Sequence, residues 1–256
     1  SFNILSDSTD NSLGFIFKFN NIITKEICKK YIKLAEKSAK YIGWKRFKFV
    51  KYSTVDININ LIPDLIDEHN KFRNDKIIPL IKKYYDLTDS IITPNKEFII
   101  KYTENGQSEL EIHRDQSVIS YNILLNSEYE FTGGGTFFES NNLLIKPNQG
   151  DLLIHSGLVK HGGNKIISGT RYLLVGFLDV KSKFINPSYL SINHNLEDSY
   201  VLNLIWKPNF FNNQTIKIKN KPGYAKILDL FYEKNKVLVE YNSNKVTIEF
   251  DEISYL

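Results

Sequence analysis

"FIIKYTENGQSELEIHRDQSVISYNILLN", residues 98–126, decides how the rest of the chain is read. Two apolar runs, 98–103 and 117–126, flank a polar stretch punctuated by Asn105 and Gly106. That is the pattern of strands joined through turns. Within it lie His113 and Asp115, two positions apart. On a strand, positions i and i+2 share one face, so an imidazole and a carboxylate could converge on one ion. A lone His-x-Asp is common by chance, and it gains meaning only if the remaining chain supplies a third ligand.

Outward from this stretch, "KEFIIKYT" (96–103), "GGGTFFES" (133–140), "NLLIKP" (142–147), "DLLIHSG" (151–157) and "RYLLVGFLDV" (171–180) are further short apolar runs separated by Gly, Asn and Pro. Strands in series with turn signals suggest a sandwich or closed jelly roll. Gly133, Gly134 and Gly135 read as a turn or bulge at the rim, not as a phosphate loop, because no Lys-Ser/Thr follows. Before this region, "LGFIFKF" (13–19) reads as a strand, and Thr24 caps a helix through "KEICKKYIKLAEKSAKYI" (25–42). A second helical region spans 60–87, with Pro63 and Pro79 breaking or starting helices. Residues 1–12 are polar, and fraying is expected there. After about 184, short strands split by "KPG", "EKN" and "SN" turns suggest a small β-barrel or meander. The expected class is α+β, mainly β: a double-stranded β-helix (jelly roll) over 13–183 with N-terminal helices packed outside, then a C-terminal β-barrel-like module over 184–256.

The third ligand is sought among five histidines, the others being His69, His155, His161 and His194. His161 follows a Gly-containing turn and precedes Gly162 and Gly163, which suits a ligand carried on a loop. His155 sits inside an apolar strand and reads as a hydrogen-bonded core histidine. Two histidines and one carboxylate leave three octahedral positions open, the arrangement of non-haem Fe(II) oxygenases. The chain has four arginines, so Arg171, ten residues after His161 at the start of a strand, stands out. Guanidinium is always charged and grips a carboxylate bidentately. Arg171 therefore suits the far end of a dicarboxylic co-substrate. Ile123, Leu125, Phe137, Leu153 and Val175 are the expected apolar walls.

The bulk numbers set bounds. The chain has 256 residues, 42% hydrophobic and 24% charged, with a formal net charge of +4. That is the composition of a globular protein with room for a large core. A mild, unclustered basic excess does not argue for nucleic acid. Cys28 is the one cysteine, so no internal disulfide forms, and a buried apolar thiol is the expectation. No membrane-spanning run and no leader peptide is read, and a reducing, cytoplasmic setting is expected.

The quoted stretch, followed by "FTGGGTFFES" (131–140), "KPNQGDLLIHSG" (146–157) and "HGGNKIISGTRYLLVGFLD" (161–179), resembles the Fe(II)/2-oxoglutarate-dependent dioxygenases. The likeness is to the procollagen lysyl hydroxylase catalytic domain and its prolyl 4-hydroxylase relatives. It covers about 96–180, with a weaker helical lead-in from about 15, and four motifs occur in order. The resemblance implies Fe(II) held by His113, Asp115 and His161, with the distal carboxylate of 2-oxoglutarate on Arg171. It places Asn122 toward the co-substrate and Tyr102 in the lining of the pocket. It implies O2 as co-substrate, ascorbate as reductant, and hydroxylation of a protein or peptide side chain with release of succinate and CO2. Lysyl is preferred because prolyl 4-hydroxylases usually place lysine where Arg171 stands. A prolyl enzyme and a non-catalytic metal-binding scaffold are the alternatives. A lysyl substrate should meet an acid, with Glu104, Glu109, Glu111 and Glu139 as the candidates. Arg114 should point away from its neighbours, to a surface or substrate-side role. A nucleic-acid demethylase ranks low because no arginine follows Arg171. The tail has no counterpart in the family. It vaguely resembles an SH3- or Tudor-like barrel, which either binds a partner or, slightly favoured, covers a sheet edge.

Overall fold

The computed structural model describes residues 2–4, 12–44, 52, 54–182, 185, 195–205, 213, 215–231, 236–249 and 252–254. Strands β1 (Phe2–Ile4), β2 (Phe17–Phe19), β3 (Asp56–Asn58), β4 (Ile91–Thr103), β5 (Leu110–His113) and β6 (Ile119–Leu124) come first. They are followed by β7 (Phe131–Gly133), β8 (Thr136–Phe138), β9 (Leu143–Ile145), β10 (Leu152–Ser156), β11 (His161–Gly163) and β12 (Ile166–Lys181). An antiparallel major sheet runs β1-β2-β10-β6-β12-β4-β3, with β7 pairing β12. A minor sheet runs β5-β11-β8-β9. Together they give a mostly-β, jelly-roll-type arrangement. The expected fraying of 1–12 does not hold at 2–4, because β1 pairs with β2 from Phe2↔Phe19 to Ile4↔Phe17. Residues 5–11 lie outside the described residues.

Strand alternation gives the major sheet two unlike faces. One carries Ile99, Tyr121, Ile123 and Leu174 into the large core under the helices. The other carries Phe98, Ile100, Tyr102, Leu173 and Val175, which form a separate buried cluster beside the cavity. Of the expected cavity walls, Val175 lines the cavity, while Ile123, Leu125 and Leu153 belong to the large core instead. Cross-strand register explains the split. Val175 pairs with Asn122, so their neighbours Ile123 and Leu174, also paired, face the other way.

Helix α1 (Lys25–Ile42) begins at Thr24, whose Oγ1 accepts from the Ile27 N–H at 3.4 Å, and ends at Gly43 with φ 71°. Its apolar stripe buries Cys28, Tyr31 and Ala35 against the sheet. Full burial of one large apolar side chain contributes roughly 1.5–3 kcal/mol, so such a face, not helix propensity, holds the helix down. Helices α2 (Ile66–Phe72) and α3 (Ile78–Tyr84) are joined by a π-helical turn, Arg73–Ile77. Pro79 in the first turn of α3 lacks an N–H, and the wider turn lies directly before it. There Arg73 meets Glu97 Oε2 at 2.6 Å, while Tyr121 donates to Glu97 Oε1 at 2.5 Å and His69 Nε2 lies 3.1 Å from it. This buried polar cluster fixes α2 to the outer face of β4 and accounts for His69.

Helix α4 (Asp198–Ile205) follows the β-region. Val201 and Leu202, with Ile185, are buried in the large core. Strands β13 (Thr215–Ile218), β14 (Ala225–Phe231), β15 (Lys236–Tyr241), β16 (Asn244–Glu249) and β17 (Ile253–Ser254) form a five-stranded sheet in the order β16-β15-β14-β13-β17. Ile216, Ile227, Val237, Val239 and Ile248 belong to a core cluster of its own. Among the described residues, no helix is long and apolar enough to cross a membrane.

Candidate active site

The two histidines meet because their strands pair. In the β5–β11 ladder, His113 lies directly opposite His161. Their ring centroids are 4.6 Å apart. His113 Nε2 stands 3.2 Å from Asp115 Oδ1, and His161 Nε2 stands 3.3 Å from Asp115 Oδ2. One ligand atom from each of the three falls within 4.8 Å of the others. The route to convergence differs from the expected one. Strand β5 ends at His113, so Asp115 is not on the same strand face but in the turn beyond. His161, expected on a loop, opens strand β11.

That turn is tied down tightly. The Asp115 N–H donates to Gly157 O at 2.8 Å, and Ser120 Oγ donates to Asp115 Oδ2 at 2.6 Å. Ser117 and Ser120 hydroxyls are 2.8 Å apart. A Cβ at Gly157 would meet Ser117 Oγ at 2.3 Å and Ser117 O at 2.5 Å, so only glycine fits beneath the turn.

The hydrogen bonds also set the tautomers. His113 Nδ1 lies 2.7 Å from Glu111 O, and His161 Nδ1 lies 2.9 Å from Val159 O. A carbonyl only accepts, so each Nδ1 carries hydrogen, and Nε2 is the ring nitrogen turned toward the carboxylate. Three acceptors facing one point repel one another unless a cation or protons lie between them. This donor set fits a divalent metal of the imidazole–carboxylate class. Electrostatics tell the same story. Burial opposes ionisation of Asp115, but His161 and His113 outweigh it and hold the carboxyl well below its usual range. Burial likewise disfavours the His161 cation, yet Asp115 outweighs it and the net shift is upward.

Arg171 lies in the same cavity, of about 330 Å³. It is 1% exposed, the largest fully buried side chain. Nη1 donates to Gly135 O at 3.3 Å, and Cζ stands 5.7 Å from the centre of the Tyr102 ring. Nη2 is buried without a partner, as is Asn122 Oδ1. A buried donor left unmatched costs about 1–3 kcal/mol, more for a charged one. An anionic group reaching Nη2 is therefore what this geometry lacks, and a dicarboxylate fits. Gly133, Gly134 and Gly135 have φ of 81°, 65° and 108°, a left-handed turn that sets Gly135 O against the guanidinium. Burial pushes the Tyr102 hydroxyl up to about 12, so it stays protonated.

His155 also faces the cavity, its ring 4.3 Å from that of His161, with Nδ1 2.8 Å from Ser156 O. Burial takes its pKa down to about 3, so it is neutral, and it stands outside the three-residue cluster as expected. Arg114 borders the cavity, and its guanidinium is buried rather than at the surface. It is 5% exposed, and its guanidinium bonds Asp198 Oδ1 on α4 and the Leu158 carbonyl. Glu104, Glu109, Glu111 and Glu139 are all exposed, and none lines the cavity. Sequence reasoning missed Ser120, although it lies two residues before Asn122 on the same strand face. It also missed Tyr52, whose ring stacks on His113 at 5.2 Å and 28°; nothing in the flanking residues marks it.

No protein-family model matches the chain. Among curated proteins, rat (Rattus norvegicus) procollagen-lysine,2-oxoglutarate 5-dioxygenase 1 is 34% identical over 130 residues, 49% of this chain and 18% of the relative. Human procollagen-lysine,2-oxoglutarate 5-dioxygenase 2 is 29% identical over 172 residues, 62% of this chain and 23% of the relative. The chain thus spans about a fifth of the length of these relatives. The solved structure of the non-haem alpha-ketoglutarate-dependent carbocyclase SnoK from nogalamycin biosynthesis shares the fold, with TM-score 0.52 at 10% identity over 64% of this chain and 79% of that one. Sequence likeness supports the Fe(II)- and 2-oxoglutarate-dependent dioxygenase family for this chain, and the shared fold and the His-Asp-His cluster are consistent with it.

Proposed function

We propose that the chain hydroxylates a side chain of a protein or peptide, lysyl in preference to prolyl, using Fe(II), 2-oxoglutarate and O2 with ascorbate as reductant. One observation carries the reading: the His113, Asp115 and His161 acceptors converge in a cavity that also holds the unpartnered Nη2 of Arg171. When bound, iron would supply the oxidising chemistry with 2-oxoglutarate and O2, one oxygen atom ending in succinate and the other in the new C–OH while CO2 is released. The protein's part is placement. His113, Asp115 and His161 hold the metal, with Glu111 O, Val159 O and Ser120 Oγ fixing their orientation. Arg171 takes the distal carboxylate of the co-substrate, and Asn122 and Tyr102 border it. Phe98, Ile100, Leu173 and Val175 exclude water from the far side. Sequence likeness to procollagen-lysine dioxygenases and an arginine at the anchor position favour lysine.

We place the end of the catalytic unit after α4 rather than at 183, because Ile185, Val201 and Leu202 pack into its core. The sheet of β13–β17 is then the tail module. Its order, a four-strand meander with β17 returning beside β13, supports an SH3-like barrel that contacts a partner or shields an edge.

The test is incubation of the protein with Fe(II), ascorbate, 2-oxoglutarate and collagen-like peptides, followed by mass spectrometry. A gain of one oxygen on lysine is expected, with matching succinate. Oxygen on proline would select the prolyl reading, and no succinate under any condition would select the scaffold.

A further inference from the structure

A lysyl side chain brings an ammonium group into a cavity already holding Arg171, and the four exposed glutamates do not face it. Asp115 is committed to the histidines. Asp56 is different. We propose, resting on the lysyl reading above, that the Asp56 carboxylate receives the substrate ammonium and so selects a cationic side chain over a neutral one.

The placement follows from register. On β3, Asp56 pairs with Ile100 of β4, and directly opposed residues share a face. Ile100 lines the cavity, as do Phe98 on the same strand and Thr54, and the Asp56 carboxylate lies directly behind this wall, hydrogen-bonded to Thr54 Oγ1. Asp56 is 5% exposed, and among the described residues its hydrogen-bond partner is Thr54 Oγ1. A carboxylate has about four lone-pair sites, so most of its accepting capacity is unused. Burial is the largest influence on Asp56 and moves its carboxyl upward, against Thr54 and Lys96. That is the signature of a buried acid short of counter-charge. Lys96, the cation within reach, lies with Nζ 4.3 Å over the Phe98 ring at the cavity wall. The Tyr102 hydroxyl feels both Asp56 and Asp115, so the two acids share one electrostatic neighbourhood.

An incoming ammonium offers three donors to this acid. In lysine the nitrogen is two bonds from Cδ, so gripping it sets how deep that carbon enters. A prolyl ring gains nothing from Asp56, and neither does norleucine, which keeps the four side-chain carbons of lysine and lacks the ammonium.

The test is anaerobic calorimetry on the full chain with Fe(II) and 2-oxoglutarate, using a collagen-like peptide bearing one lysine and its norleucine counterpart. Wild type should bind the lysyl peptide at least about tenfold tighter, the scale of one buried charge-assisted hydrogen bond. Asp56→Asn should close the gap while the norleucine affinity stays put. Equal affinities in wild type, or a gap that persists in a variant shown folded by circular dichroism, would overturn the proposal. Carbodiimide coupling on wild type supplies a reading that needs no variant. Peptide mapping should find the lysyl Nζ joined to Asp56, and coupling confined to other carboxylates would refute it. Wild type that oxidises prolyl and not lysyl peptides would instead refute the lysyl reading itself, which is a separate result.

Discussion

At the scale of single residues, Arg171 and Asp115 are opposites: among the described residues, one is a buried charge with Nη2 unmatched, the other a buried charge held from several sides. Arg171→Ala removes the proposed anchor and leaves the metal cluster alone. Its KM for 2-oxoglutarate should rise at least about tenfold, because a hydrogen bond to a charged group is worth roughly 1.5–3 kcal/mol. Mn(II) affinity, read by electron paramagnetic resonance, should barely change. Ser120→Ala acts through Asp115 rather than on substrate. Losing such a support typically weakens metal binding about 10–100-fold, which the same titration would measure. Cys28 offers a pH test. Burial raises its thiol to about 12, and the thiolate is the reactive form. Below that pH the native protein should resist a disulfide reagent, and labelling should appear at pH 8 once denaturant exposes the chain.

At the scale of elements, the site is built by short segments that hold one another. The turn after β5 exists because Gly157 allows Ser117 to sit against it. Gly157→Ala should shift that turn, cut metal affinity and lower the melting temperature together, whereas Ser120→Ala should change mainly the first. This scale also shows what was legible in the sequence. His113, His161 and Arg171 could be found because histidine and arginine are rare in this chain, and Asp115 because it stands two positions after His113. Their alternation with apolar neighbours survives in the chain order. Asp56 and Tyr52 could not be found that way. Asp56 comes beside the cavity wall through pairing with Ile100, forty-four positions away, and nothing local in "STVDIN" announces that partner. Ile123, Leu125 and Leu153 part from Val175 for a related reason. Ile123 and Val175 are equally apolar, and only the register with Asn122 says which one looks inward.

For the whole molecule, the buried ion pair between Arg114 and Asp198 links the turn that carries Asp115 to α4, more than eighty residues later. Breaking one side of such a pair strands a buried charge, so Asp198→Ala should cost about 3–5 kcal/mol in urea unfolding. A chain cut at 183 should suffer likewise and lose Val201 and Leu202 from the core as well. A chain cut after Ile205 keeps these contacts and should retain metal binding, since β13–β17 have their own apolar cluster. The unmatched Nη2 of Arg171 in the cavity has one more consequence. In the proposed reading it holds the half of the oxoacid that does not react, and succinate keeps that half unchanged. The spent molecule then leaves only by breaking the grip that admitted the fresh one. Succinate should therefore compete with 2-oxoglutarate, and at saturating peptide its escape is the step expected to set the turnover rate.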